Sequence, residues 1–120
     1  MKNKTGFCAT FNGNIPIIKI TGELDHCVST ECRSIFADLA AKGHIHVIVE
    51  ISELEYLDSS GMSAIIFSAK QLSELSGCLI LVGGNPRVMH KFEIGGMFAF
   101  PDFVVKYHTM EEALRHLAKS

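Results

Sequence analysis

The sequence predicts an α/β domain with a central mixed, largely parallel sheet of about five strands and about four helices packed against it. Three observations predict it. Short apolar, β-branched runs alternate with longer segments whose apolar residues recur at helical spacing. The chain opens with two strand-like runs separated by Asn12-Gly13-Asn14, a strong hairpin turn. Turn and cap residues (Gly43, Gly77, Gly83-Gly84, Thr109) punctuate the segments, and no linker, internal repeat or low-complexity tract interrupts them. At 120 residues the chain has the size of one ordinary domain able to bury its own core, so residues 1–120 are read as a single unit.

Phe7-Cys8-Ala9-Thr10-Phe11 reads as the first strand and residues 15–21 as its return, with Pro16 suited to a strand start or an edge. Gly22-Glu23-Leu24-Asp25 is expected to leave that strand. A helix follows over 29–42, with Val28, Cys32, Ile35, Phe36 and Leu39 spaced for one buried face and Gly43 as its stop. Residues 44–51 form a third strand, apolar enough to be covered on both sides. A second helix is expected from near Ser60 to about Ser76, ending at Gly77, and residues 78–82 form the next strand. Pro86 suits the first position of a helix reaching Ile94, terminated by Gly95-Gly96. Residues 103–107 form a last strand. Thr109-Met110-Glu111-Glu112 is a capping box opening a final helix whose inward face carries Ala113, Leu114 and Leu117.

Composition excludes several function classes. Hydrophobic residues make up 48% and charged residues 20% of the chain, which is globular rather than disordered. A formal net charge of −2 and the lack of a basic cluster give no electrostatic case for nucleic acid; Lys2, Lys4 and Lys70 read as solvated positions. No run approaches the ~18 apolar residues of a membrane span. The first residues lack the apolar segment and cleavage site of a signal peptide, so a cytoplasmic location is expected. Cys8, Cys27, Cys32 and Cys78 form no C-x-x-C pair and read as reduced, mostly buried thiols.

No catalytic or cofactor motif is present, and no catalytic residue, metal or cofactor is expected. Neither a Walker-type nor a dinucleotide-binding glycine pattern occurs, and Gly83-Gly84-Asn85-Pro86 reads as a strand-to-helix turn with at most a weak capacity for an anion. No nucleophile elbow surrounds Ser59 or Ser60. His44-x-His46 has metal-ligand spacing but no third ligand nearby. Glu23 and Asp25 with Asp58 loosely imitate the Mg²⁺-binding acidic set of a receiver module. The acidic pair is not contiguous there, and Lys106, inside a strand pattern, is not the lysine such a site needs.

The remaining feature is Asp58-Ser59-Ser60-Gly61, which delivers short polar side chains to the start of a helix. Backbone N–H groups there lack intrahelical partners and the helix dipole favours negative charge. The tetrapeptide is therefore either a simple N-cap, made by Ser59 or Ser60, or a seat for a phosphate.

The order of these pieces resembles the STAS domain family, the anti-sigma-factor antagonists and their relatives. The resemblance is carried by Thr21-Gly22-Glu23-Leu24-Asp25, by Ile51-Ser52-Glu53-Leu54-Glu55-Tyr56-Leu57-Asp58-Ser59-Ser60-Gly61, by Leu81-Val82-Gly83-Gly84-Asn85-Pro86-Arg87-Val88, by Gly96-Met97 and by Glu111-Glu112-Ala113-Leu114. It covers essentially the whole chain as one STAS domain, and the Asp-Ser-Ser-Gly element at this junction is its most specific part. It implies a non-catalytic interaction module acting by partner switching in bacterial transcription control. A serine kinase that is also the anti-sigma factor binds the unphosphorylated protein, phosphorylates it and releases it, and a serine phosphatase resets the cycle. Carried over by position, Ser59 is the phosphoacceptor, and Asp25, Asp58, Ser60, Gly61 and Met62 border the partner-binding surface. The sequence departs from the family after Gly96, where Met97-Phe98-Ala99-Phe100-Pro101 is apolar. Other family branches imply alternatives: a constitutive STAS subunit of a transporter or stress-sensing complex, in which Ser59 is only a cap, or a nucleotide- or small-ligand-binding domain using the Gly83-Gly84 turn and the helix start near Ser60.

Overall fold

The computed structural model describes residues 5–95 and 104–118. Strands β1 (Gly6–Asn12) and β2 (Ile15–Leu24) form the opening hairpin, followed by α1 (Ser29–Ala41) and β3 (His46–Glu50). Then come β4 (Leu54–Leu57), α2 (Ser59–Glu74), β5 (Cys78–Val82), α3 (Pro86–Ile94), β6 (Val104–Tyr107) and α4 (Met110–Ala118). The main sheet has the order β1-β2-β3-β5-β6, with β4 off this path and paired to β2. The hairpin is antiparallel and every other pairing is parallel, as alternating strands and helices require.

The apolar runs explain the layering. In β3, Val47, Ile48 and Val49 are all fully buried, because consecutive strand residues face opposite sides and both sides are covered. Val47, Val49, Leu79 and Leu81 join the larger core beneath α1, α2 and α3, with Cys32, Phe36, Ala64, Ile65, Leu72 and Phe92. Ile48, Ile80 and Val82 face the other way, under Ala113, Leu114 and Leu117 of α4. The capping box of α4 is reciprocal: the Glu112 amide donates to Thr109 Oγ1 and the Thr109 amide to Glu112 Oε1, each at 3.2 Å.

Two expectations are corrected here. The chain does not leave β2 at Gly22: the strand continues to Leu24 through a register shift between Gly22 and Glu23, with Gly22 at φ 78°. That extension is what β4 pairs with, a strand absent from the elements that the sequence predicts. The second helix opens at Ser59, not Ser60, and ends at Glu74. Lys2, Lys4, Gly96, Phe103 and the apolar segment 97–101 lie outside the described residues.

Burial of Cys32 pushes its thiol from 9.0 up to about 12, so the native state holds a proton that the unfolded chain sheds at lower pH. The associated stability is intact below pH 9 and declines as pH rises from 9 toward 12, by at most about 1.4 kcal/mol per pH unit. In alkaline denaturation series, Cys32→Ala should flatten this decline after its own packing loss is subtracted. The expectation of mostly buried thiols is also corrected, since Cys8 and Cys27 are exposed, Cys78 is half-buried and Cys32 is buried. With a disulfide reagent at neutral pH, Cys8 and Cys27 should react at once and Cys32 only on unfolding.

Candidate functional site

β4 is short, with Leu54 and Leu57 buried and Glu55 and Tyr56 exposed, and it hands the chain to α2 at Asp58. Asp58 is in extended conformation (φ −102°, ψ −179°), the usual geometry for an N-cap. Its Oδ1 accepts from the Gly61 amide at 2.8 Å, while the Met62 amide donates to its carbonyl at 3.0 Å. Its Oδ2 accepts from the His26 amide at 3.2 Å, and its own amide donates to the Leu24 carbonyl at 3.3 Å. One residue therefore caps α2 and sews the β4–α2 junction to the end of β2. In the facing turn, Asp25 Oδ1 accepts from the Cys27 amide at 3.0 Å, the Asx turn expected of an aspartate after a strand.

The serine cap is corrected by this geometry: Asp58 caps the helix. Ser59 is the first helical residue and is exposed, and its hydroxyl makes no hydrogen bond among the described residues. Ser60 is half-buried. Gly61 is buried because α2 starts hard against β2: a Cβ there would lie 2.2 Å from the Leu24 carbonyl oxygen and 2.9 Å from Leu24 Cγ. Met62 is half-buried beside the end of α3, its Sδ occupying the space a Gly95 side chain would need. The six residues singled out in the sequence thus fall into one region, two facing turns joined by the Asp58 carboxylate.

Two contributors to this region went unread in the sequence. His26 supplies the amide that engages Asp58, a backbone role that no side-chain pattern can announce. Lys91 donates from Nζ to the Leu57 carbonyl at 2.7 Å, with its ammonium 4.4 Å from the Tyr56 ring centroid. A cavity of about 90 Å³ beside it is lined by Glu55, Tyr56, Leu57, Arg87, Val88 and Lys91. The sequence carries a partial signal for Lys91, since it places the residue on helix α3, but its target lies 34 residues away.

The other candidates are tied into the fold. Asn85 caps α3 by accepting from the Val88 amide at 2.9 Å, and its Nδ2 donates to the Leu54 carbonyl at 3.0 Å. Both functions of its amide are thus turned inward from the Gly83-Gly84 turn. The His44 ring lies tilted at 55° against Phe11 with ring centroids 5.3 Å apart, and His46 Nδ1 lies 3.5 Å from Cys78 Sγ. Among the described residues, no three His, Cys, Asp or Glu side chains converge in a metal-holding arrangement. Lys106 lies within β6. No helix among the described residues is long and apolar enough to cross a membrane.

Asp58→Ala should remove the cap and the tie to His26 together, lowering stability by about 1–2 kcal/mol. Gly61→Ala should cost about 1–3 kcal/mol through overpacking against Leu24. Urea denaturation checks both, and Ser59→Ala should lie within about 0.5 kcal/mol of the parent, because Ser59 holds nothing in place.

Residues 8–113 of the chain match the STAS domain family. A Bordetella bronchiseptica protein named as an anti-sigma factor antagonist, BtrV, is 35% identical over 92 residues, which cover 69% of this chain and 79% of that protein. The fold is similar to that of the anti-sigma factor antagonist SpoIIAA in its unphosphorylated form, with a TM-score of 0.80 and 23% identity over 96% of this chain and 98% of that one. It is also similar to the phosphorylated form of the Bacillus cell fate determinant SpoIIAA, with a TM-score of 0.72 and 23% identity over 93% and 99% of the two chains. With the six-stranded sheet and four helices of its described residues in this order, the chain belongs to the STAS domain family and to its anti-sigma factor antagonist kind.

Proposed function

We propose that the protein is a non-catalytic, phosphorylation-switched antagonist that binds an anti-sigma factor acting also as its serine kinase. Ser59 is the phosphoacceptor, Asp25, Asp58, Ser60, Gly61 and Met62 border the contact surface, a serine phosphatase resets the cycle, and the setting is the bacterial cytoplasm. The observation that carries this reading is the division of labour at the helix start. Asp58 takes the cap, so Ser59 is exposed at the first position of α2 with its hydroxyl uncommitted. That is the side chain a kinase can reach and esterify without dismantling the fold.

Physical chemistry supports a surface switch. Phosphorylation adds about −1.5 to −2 charge and three acceptor oxygens. At a helix N-terminus the domain itself tolerates this charge through free amides and the helix dipole. Beside Asp58 and Asp25, however, the same charge concentrates negative potential on the outer surface. A partner that presents carboxylates, or packs closely enough to strip water from the phosphate, then loses affinity. A loss of about 4 kcal/mol would weaken binding roughly a thousandfold.

Incubation with the partner kinase and Mg-ATP should add one phosphate, mapped by mass spectrometry to Ser59. Ser59→Ala should abolish the label and Ser60→Ala should keep it. Ser59→Asp should weaken kinase binding by roughly 10²- to 10³-fold in titration calorimetry while leaving the circular dichroism spectrum unchanged. Binding that ignores both phosphate and Ser59→Asp would point to a constitutive subunit instead.

A further inference from the structure

Most of the sheet is guarded against stray pairing. The β6 edge carries Lys106, a charge that discourages added strands. The other edge has no such protection. β1 runs for seven residues, Gly-Phe-Cys-Ala-Thr-Phe-Asn, without a charge or a proline, and residues 8–12 are all exposed. Phe11 is 54% exposed although the His44 ring lies tilted against it.

The backbone of β1 has a definite outward pattern. Asn12 pairs with Ile15 across a two-residue turn whose first residue, Gly13, has φ 62°, as a type II′ hairpin requires. The closing pair of such a hairpin exchanges backbone hydrogen bonds, and bonded pairs alternate along the ladder. Asn12, Thr10, Cys8 and Gly6 therefore turn their amides and carbonyls toward β2. Phe11, Ala9 and Phe7 turn theirs outward, where no strand among the described residues meets them.

Those three outward residues read the same in both directions: Phe, Ala, Phe. A two-fold axis at Ala9 would place Ala9 opposite Ala9 of a second copy, and Phe7 opposite Phe11 in each direction. The residues so opposed are the ones whose backbone groups are free, giving six inter-strand hydrogen bonds by simple pattern. Phe7 and Phe11 share one face of the sheet, so each meets an aromatic partner across the strand gap, a favourable cross-strand pair. No like charges face one another along the strand.

We propose that β1 is a self-association edge, on which a second copy of this chain adds antiparallel with Ala9 at the two-fold axis, joining the two sheets into one. The self-complementary register is what favours a second copy over an unrelated extended peptide, which would have no reason to mirror Phe-x-Ala-x-Phe. This inference is independent of phosphorylation, since Ser59 lies on a different element.

Sedimentation equilibrium of the chain under reducing conditions tests it, from ~10 µM to ~1 mM, the range in which a weak edge contact is populated. A monomer–dimer equilibrium is expected. Ala9→Pro removes one outward amide and leaves the β1–β2 ladder intact, and Ala9→Lys places two charges at the axis; each should raise the dissociation constant at least tenfold with an unchanged thermal melt. A monomer at ~1 mM, or a dimer indifferent to both substitutions, would overturn the proposal. Register is read separately: mild oxidation should cross-link Thr10→Cys to Cys8 of the second copy, and Cys8→Ser in that background should abolish the link. Efficient Cys8–Cys8 cross-linking of the parent chain would place the axis elsewhere and refute the Ala9 register.

Discussion

The Asp58 carboxylate is the constraint on which the rest of this surface depends. Its two oxygens are divided between two backbone amides belonging to different turns, Gly61 at the start of α2 and His26 before α1. Hydrogen bonds to a charged acceptor contribute more than neutral ones, typically about 1.5–3 kcal/mol. The negative charge also sits at the positive end of the helix dipole. A serine at this position could cap the helix equally well, but a single hydroxyl cannot reach both turns in this way. The aspartate therefore does two jobs, and the serine that follows it is left to do none for the fold.

The same logic extends along β4. A four-residue strand with one strand neighbour among the described residues has few backbone bonds of its own to hold it. It is held by side chains reaching in from elsewhere: Asn85 takes the Leu54 carbonyl, Lys91 the Leu57 carbonyl, and Asp58 fastens the exit. Leu54 and Leu57 meanwhile anchor it from below, in the core beneath α1, α2 and α3. Lys91 connects two regions at once, since its ammonium also sits over the exposed Tyr56 ring. The position of Ser59 is thus set by α3 and by the end of β2 as much as by its own helix.

How much of this was legible in the sequence follows from the range of each interaction. Local signals read cleanly: the Asn12-Gly13-Asn14 turn, the apolar face of α1, the Pro86 helix start and the Thr109 capping box all depend on residues within a turn or two of one another. β4 did not, because Leu54-Glu55-Tyr56-Leu57 has neither alternation nor a long apolar run, and its pairing depends on β2 continuing through Gly22. A glycine after a strand ordinarily signals departure; here its positive φ accommodates a shift in register. The cap expected of Ser59 or Ser60 falls to Asp58 for a different reason. Asp58, Ser59 and Ser60 are all good N-cap residues, and what selects Asp58 is the His26 amide, 32 residues distant. The location of the site was therefore readable, while its wiring was not.

That wiring also bears on what a phosphate at Ser59 could do. The ester oxygens would lie close to the first turn of α2, where the Gly61 amide is the best-formed donor. To take it they would have to expel Asp58 Oδ1, and doing so would disturb the bond from His26 to Oδ2 of the same rigid carboxylate. Two charge-assisted bonds would be exchanged for one, with two anions left side by side. The cheaper arrangement leaves Asp58 in place and the phosphate turned outward over the remaining amides and into solvent. On this argument the switch resides in the charge presented to a partner, and the fold behind it stays as it is because Asp58 already occupies the place a conformational change would need.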